Sequence, residues 1–281
     1  SSFLIFIFGL VVGSFLNCVI YRLQTGAPHQ LLFKSGGGLS RSFCPHCKHT
    51  LSWQDLIPIL SFLFLRGKCR YCHQKISYQY PLVELATAFL FVVAAQNQLT
   101  VNSEQLTLFN FFYFCYLLTI ICFLIIIFVY DLKYYIIPDK VIYPAIALTF
   151  IYQLFGNWKL LCVNSGQIGN LQPLINPITS AFLASLFFLL IVLVSRGRWM
   201  GVGDIKLAFL MGLILGWPNI LVALFLAFFI GAAIGIGLIM SSKKTLKSEV
   251  PFGPFLVTGT FLALFFSERI IVFYLSLFLL K

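Results

Sequence analysis

Of the 281 residues, 60% are hydrophobic and 10% charged, against about a quarter charged in an ordinary soluble domain, so the composition excludes a soluble globular protein and reads as a polytopic membrane protein. The formal net charge of +11 invites a nucleic-acid partner, but its distribution excludes one. If spans alternate from an N-terminus outside, only Lys159, Arg269 and Lys281 among the 19 basic residues fall opposite the rest; the positive-inside rule accounts for that bias and puts the basic loops in the cytoplasm, against anionic headgroups.

The segments expected to span run 2–21, 81–97, 106–130, 136–155, 174–195, 201–217, 219–240 and 252–266. The expected fold class is therefore an all-α polytopic membrane protein with about eight transmembrane helices and a small cytoplasmic zinc-binding domain between the first and second spans. Three parts follow: a first span at 1–22, a cytoplasmic tetra-Cys domain at 23–80 and a membrane domain at 81–281. The first segment lacks a basic start and a small-residue exit, so it reads as a span rather than a signal peptide.

That segment ends Gly13-Ser14-Phe15-Leu16-Asn17, with Arg22 beyond, and leads into the largest water-exposed region, which holds all four histidines. Gly36-Gly37-Gly38 lacks the Gly-Lys-Ser/Thr that a phosphate cradle needs and reads as a loop. Two Cys-x-x-Cys knuckles follow, Cys44 with Cys47 and Cys69 with Cys72. Four thiolates at this spacing suit a closed, structural tetrahedral zinc site, and a reducing cytoplasm disfavours disulfides as the alternative. His46, His49 and His73 flank the knuckles and read as neighbours rather than ligands. The apolar run 60–65 between the knuckles suits either the membrane surface or packing on the spans.

Glu84 follows Pro81 in the first turn of the second expected span, where the helix dipole favours a negative charge; dipole stabilisation and a polar role in a site stay equally open. The third span ends at Asp131, and Pro138-Asp139 suggests a turn before the next. Residues 156–173 read as a polar loop. Gly201-Val202-Gly203-Asp204-Ile205-Lys206 then opens an apolar segment, where an ionisable group marks a functional site by default because it is costly in a span. On this topology Asp131 ends an inward-running span and Asp204 opens an outward-running one, so both lie at one membrane face. Two adjacent carboxylates share a proton, one acting as base on water and the other as acid on a scissile carbonyl. Asp139 competes with Asp131 for the second place, or caps the following helix. Gly201 and Gly203 would let backbone approach Asp204. After the basic stretch 241–250 comes Pro251-Phe252-Gly253-Pro254, a backbone break, and the tail from Ser267 suits an interfacial helix or a partial crossing.

These residues together resemble the type IV prepilin peptidases, membrane aspartic proteases of the Gly-x-Gly-Asp type. The likeness rests on Gly13 to Asn17 with Arg22, the four knuckle cysteines, Pro81-Leu82-Val83-Glu84-Leu85-Ala86-Thr87-Ala88, Asp131 with Ile137-Pro138-Asp139, Met200-Gly201-x-Gly203-Asp204-x-Lys206-Leu207, and Pro251 to Pro254. It implies catalytic Asp131 and Asp204, choosing Asp131 over Asp139, with Gly201, Gly203, Lys206, Glu84 and Asp139 in support. It further implies cleavage, after a glycine, of a short basic leader from prepilins or type II secretion pseudopilins at the cytoplasmic face of the bacterial inner membrane. S-adenosylmethionine would then methylate the new N-terminus; no motif for that cofactor is legible, so its binding residues are unassigned. Arg198-Trp199 departs from the pair that many relatives carry before Met-Gly. The rival readings are a related intramembrane aspartic protease without methyl transfer, a proton-coupled transporter, and a non-enzymatic assembly protein.

Overall fold

In a computed structural model the chain is described over residues 2–24, 42–101, 108–163, 172–198, 200–241 and 250–279. The triple-glycine loop, residues 164–171 and most of the basic stretch 241–250 lie outside the described residues. Regular structure among those described is helical, with two isolated β-bridges. The helices are α1 (Ser2–Gln24), α2 (Leu60–Phe64), α3 (Gln79–Val101), α4 (Leu108–Tyr134), α5 (Asp139–Val163), α6 (Gln172–Ser195), α7 (Val202–Leu215), α8 (Asn219–Met240) and α9 (Gly253–Leu279).

Six of them are long and apolar enough to cross a membrane among the described residues: Ser2–Gln24, Gln79–Asn97, Asn110–Tyr134, Leu174–Ser195, Asn219–Met240 and Gly253–Ser276. Each of the eight segments expected from sequence falls on a helix, but α5 and α7 are not among the six. With 14 residues, α7 is about 21 Å long at 1.5 Å per residue, short of a hydrocarbon core of about 30 Å. Two further differences concern loops. Residues 156–163 continue α5 rather than belonging to the polar loop, and α9 carries the tail on to Leu279.

The chain divides into two compact units, Ser1–Ile126 and Ile127–Lys281. In the first, α1 packs on α3 at near backbone contact: a Cβ built on Gly9 would lie 2.5 Å from the Ala88 Cα, and one on Gly13 would lie 2.7 Å from the Glu84 Cα. Small residues permit this approach, which between membrane helices supplies the attraction that the hydrophobic effect supplies in water. The segment between α1 and α3 carries the two cysteine knuckles and α2.

In the second unit α7 packs against α5, α6, α8 and α9. Leu207, Ala208, Leu210, Met211 and Leu213 are almost wholly inaccessible, so a helix too short to span is enclosed by longer ones. A Cβ on Gly212 would collide with the Ala181 backbone of α6, and one on Gly259 of α9 would collide with the Ala223 carbonyl of α8. Gln153 of α5 adds a side-chain N–H bond of 3.0 Å to the Leu213 carbonyl. Beyond α7, the Asn176 side chain of α6 clasps Trp217, accepting its N–H at 2.7 Å and donating to its carbonyl at 3.0 Å.

Candidate active site and metal centre

Asp131 sits in the last turn of α4 and Asp204 in the first turn of α7, both within the second unit. They are 5% and 9% exposed, and each lies in the other's electrostatic field. Each is held by a backbone N–H that a glycine presents. The Asp204 carboxylate reaches back to accept the Gly201 N–H at 3.3 Å, the return half of a helix-start box. Asp131 accepts the N–H of Gly253, the first residue of α9. A side chain at Gly253 would displace the carboxylate, since a Cβ there would lie 2.5 Å from Asp131 Oδ2. Gly203 is closed in turn by Ile137, whose side chain would sit 3.1 Å from a Cβ there. No lysine or arginine among the described residues pairs with either aspartate. Two buried carboxylates within electrostatic reach of each other and without a counter-cation cannot both ionise comfortably.

Asp139 and Lys206 stand apart from that pair. Lys206 Nζ binds Asp139 Oδ1 at 2.6 Å and lies 5.0 Å from the centre of the Tyr143 ring. The Asp139 side chain is 59% exposed, so it begins α5 at the surface with a partner of its own. Glu84 lies in the first unit, 7% exposed, accepting the Ile59 N–H at 2.8 Å and the Ser14 hydroxyl. Of the sequence candidates, the structure therefore brings together Asp131, Asp204, Gly201 and Gly203, pairs Lys206 with Asp139, and sets Glu84 in a separate polar cluster. Sequence reasoning missed the N–H of Gly253 as a holder of Asp131; the signal was Pro251-Phe252-Gly253-Pro254, noted only as a backbone break.

The knuckles repeat one geometry at an interval of 25 residues. Cys44 N–H bonds the His49 carbonyl at 3.0 Å and Lys48 N–H the Cys44 carbonyl at 2.9 Å; Cys69 with Gln74, and His73 with Cys69, repeat this at 2.9 and 3.0 Å. The bridges Phe43 to Thr50 and Lys68 to Lys75 close the two turns. All four sulfurs, of Cys44, Cys47, Cys69 and Cys72, lie within 4.8 Å of one another, and Cys44 Sγ stands 3.9 Å from Cys72 Sγ. A tetrahedron with zinc–sulfur bonds of about 2.3 Å has sulfurs about 3.8 Å apart, so the residues present fit such an ion. Although a Gln74 N–H favours its thiolate, desolvation and the thiols of Cys69, Cys47 and Cys44 push Cys72 up to about 11. A cation relieves this crowding of thiols by replacing their protons.

A second network braces the knuckles. Asp55 accepts Ser52 Oγ at 2.8 Å, Ser52 N–H at 3.1 Å, Tyr71 Oη at 3.2 Å and Arg70 Nε at 2.7 Å. Arg70 and Tyr71 are the two residues inside the second Cys-x-x-Cys. Tyr71 also stacks on His49, with ring centres 3.7 Å apart.

Residues 7–97 match the family model of the bacterial peptidase A24 N-terminal domain and residues 118–236 that of the type IV leader peptidase family. Proteins called prepilin leader peptidase/N-methyltransferase are similar over nearly the whole length. One from Aeromonas salmonicida strain A449 is 33% identical, covering 97% of this chain and 93% of its own. One from Bacillus subtilis strain 168 is 33% identical over 98% of each chain. The chain belongs to the type IV leader peptidase family. It is an enzyme of that family's membrane aspartic peptidase and methyltransferase class, with six helices long and apolar enough to cross a membrane among the described residues. A relative from Aeromonas hydrophila is 32% identical over 98% of this chain and 94% of its own. No solved structure matches the chain.

Proposed function

We propose that the protein cleaves the short basic leader from type IV prepilins or type II secretion pseudopilins after a glycine, using Asp131, Asp204 and a water molecule, and then methylates the new N-terminus from S-adenosylmethionine. The observation that carries the peptidase half is the buried aspartate pair without a counter-cation, each carboxylate fixed by a glycine N–H. Fixing one oxygen of each leaves the other to act: one aspartate takes a proton from water as that water attacks the scissile carbonyl, while the other donates the shared proton to the carbonyl oxygen. The tetrahedral intermediate then collapses as a proton passes to the leaving nitrogen. No covalent intermediate forms. Gly201, Gly203 and Gly253 hold backbone close to the carboxylates, and the Lys206–Asp139 pair stiffens the start of α7 against α5.

The site belongs at the cytoplasmic face of the bacterial inner membrane, because Lys133 and Lys140 follow Asp131 in sequence, Arg196 and Arg198 precede Asp204, and a pilin helix in the bilayer would present its leader junction there. The chain then works as three parts: the span 1–22, the zinc domain 23–80 and the membrane peptidase 81–281, with eight membrane helices when α5 and the short, enclosed α7 join the six long enough to span. Zinc, held by Cys44, Cys47, Cys69 and Cys72, supplies folding energy to a segment with little core of its own. The partners are prepilins or pseudopilins and membrane lipid.

The test is processing of a membrane-embedded prepilin by wild type, Asp131→Asn, Asp204→Asn and Asp139→Asn, read by mass. Loss of cleavage in the first two, with Asp139→Asn active, is expected. Cleavage by Asp131→Asn but not by Asp139→Asn would move the partner role to Asp139, and normal cleavage by both Asp131→Asn and Asp204→Asn would overturn the peptidase reading.

A further inference from the structure

The aspartate mechanism uses no polar group buried between α1 and α3, yet that seam holds an unusual set. The two helices run in register, with Gly9 against Ala88, Gly13 against Glu84, and Asn17 reaching Tyr80. Asn17 and Glu84 are thus about one helical turn apart along one seam. Asn17 is 2% exposed; its Nδ2 donates to the Tyr80 carbonyl at 3.0 Å, and its Oδ1 is buried with no partner. Because a carbonyl accepts the bond, the nitrogen must face Tyr80, and the orphan atom is an acceptor. A buried acceptor left unpaired is unfavourable and marks the place of a missing donor.

Glu84 is under-satisfied in the same sense. A carboxylate offers about four acceptor positions, and this one takes the Ile59 N–H and the Ser14 hydroxyl, while the Arg70–Asp55 and Lys206–Asp139 ion pairs leave it out. Ile59 itself has φ 59 and ψ −50, a conformation a β-branched residue rarely holds and one that collects at functional sites. A purely structural role explains half of this. A glutamine carbonyl would hold the Ile59 N–H as well, and the clamp leaves the Asn17 oxygen unexplained.

We infer that Glu84 and Asn17 receive the α-ammonium of the newly cleaved substrate, with Glu84 the base for its N-methylation. This rests on the methyltransferase reading above. The missing ligand must bring N–H donors and positive charge. The methyl donor also carries N–H groups, but on a polar molecule, whereas the substrate's ammonium at the end of an apolar helix brings donors and charge to a seam between two membrane helices. The Glu84 carboxylate takes one proton from the ammonium. The freed lone pair forms the N–C bond to the methyl of the sulfonium donor as the S–C bond breaks, its electron pair staying on sulfur as a neutral thioether. A secondary ammonium and protonated Glu84 result, and Glu84 returns its proton to water.

The experiment uses full-length protein in nanodiscs with a membrane-embedded prepilin, reading leader loss and the methyl mass gain separately across pH. Glu84→Gln is expected to lower methylation at pH 7 at least tenfold more than cleavage. That deficit should shrink as pH rises towards about 8, where an α-amine deprotonates unaided; Glu84→Asp should recover part of the rate. Wild type should also bind unmethylated mature pilin at least tenfold tighter than its N-acetylated form, a measurement that stands if Glu84→Gln does not fold. Parallel loss of both activities, a deficit independent of pH, normal methylation by Glu84→Gln, or equal binding of the two pilins would overturn the assignment. Leader loss by wild type without any methyl mass gain would instead sink the methyltransferase reading, and this inference with it.

Discussion

Glycine 253 shows how a residue without a side chain can be decisive. Its N–H holds Asp131 and its missing Cβ leaves room for the carboxylate. Gly253→Ala is expected to displace Asp131 and lower the cleavage rate about 100-fold, the effect of a misplacement near 1 Å, with little change in the melting temperature. Asp139→Asn makes the contrast. Its pair with Lys206 is largely exposed on the Asp139 side, so the loss in stability is expected to stay under about 1 kcal/mol and cleavage within a few-fold of wild type. Both are read in one prepilin-processing assay with a thermal melt of each variant. Asp204 stood out as a candidate because a carboxylate opening an apolar segment is costly without a function, whereas Asp131 was preferred to Asp139 only by the family resemblance. Gly253 was not, because a donor's direction is a property of where α9 starts relative to α4.

Helix pairs in the second unit depend on missing side chains in the same way. At Gly212 and Gly259 a methyl group would meet backbone of the neighbouring helix, and backbone cannot swing aside as a flexible side chain can. Gly212→Ala is therefore expected to destabilise by about 1–3 kcal/mol, the usual range for overpacking, seen as a lower melting temperature in detergent. Gly235→Ala, where a Cβ meets nothing within 4 Å, should leave it unchanged. Between α1 and α3 the knuckle segment hangs on Asp55. Burial pushes this carboxylate up, but the bonds from Ser52, Arg70 and Tyr71 outweigh it and hold Asp55 below the ordinary value. A lowered acid stabilises the fold fully above its unfolded value of about 3.9 and loses that contribution as pH falls through the folded value. Asp55→Asn is expected to weaken the knuckles at pH 7 and to flatten this acid-side loss, as followed by metal release during acid titration.

At the scale of the whole molecule, one metal ion per chain is expected by elemental analysis, lost in Cys44→Ser and with a strong chelator. Because the Cys72 thiol is raised to about 11, metal uptake must release protons, and apparent affinity is expected to fall steadily as pH is lowered from 8 to 6. Cleavage and methylation measured on the same metal-free sample would show which activity needs the knuckles. The two compact units, Ser1–Ile126 and Ile127–Lys281, divide the candidates the same way: the metal site and the Glu84 cluster in the first, the aspartate pair in the second.

Composition alone determined a helical membrane protein, since 10% charge leaves too little polar surface for water, and spacing determined the four-sulfur site because each knuckle closes within a few residues of its own cysteines. Helix positions followed from apolar runs, which report removal from water directly. What the tertiary structure decided lies where distant segments meet. It set Asp139 with Lys206 and Asp131 beside Asp204, aimed the Gly253 N–H, enclosed the short α7 within longer helices, and left the Asn17 oxygen unpaired near Glu84. Such contacts depend on the register between helices, and two sequences with the same hydrophobic pattern can pack in different registers. A local pattern thus names the groups able to do chemistry, and only packing determines which of them come close enough to act together.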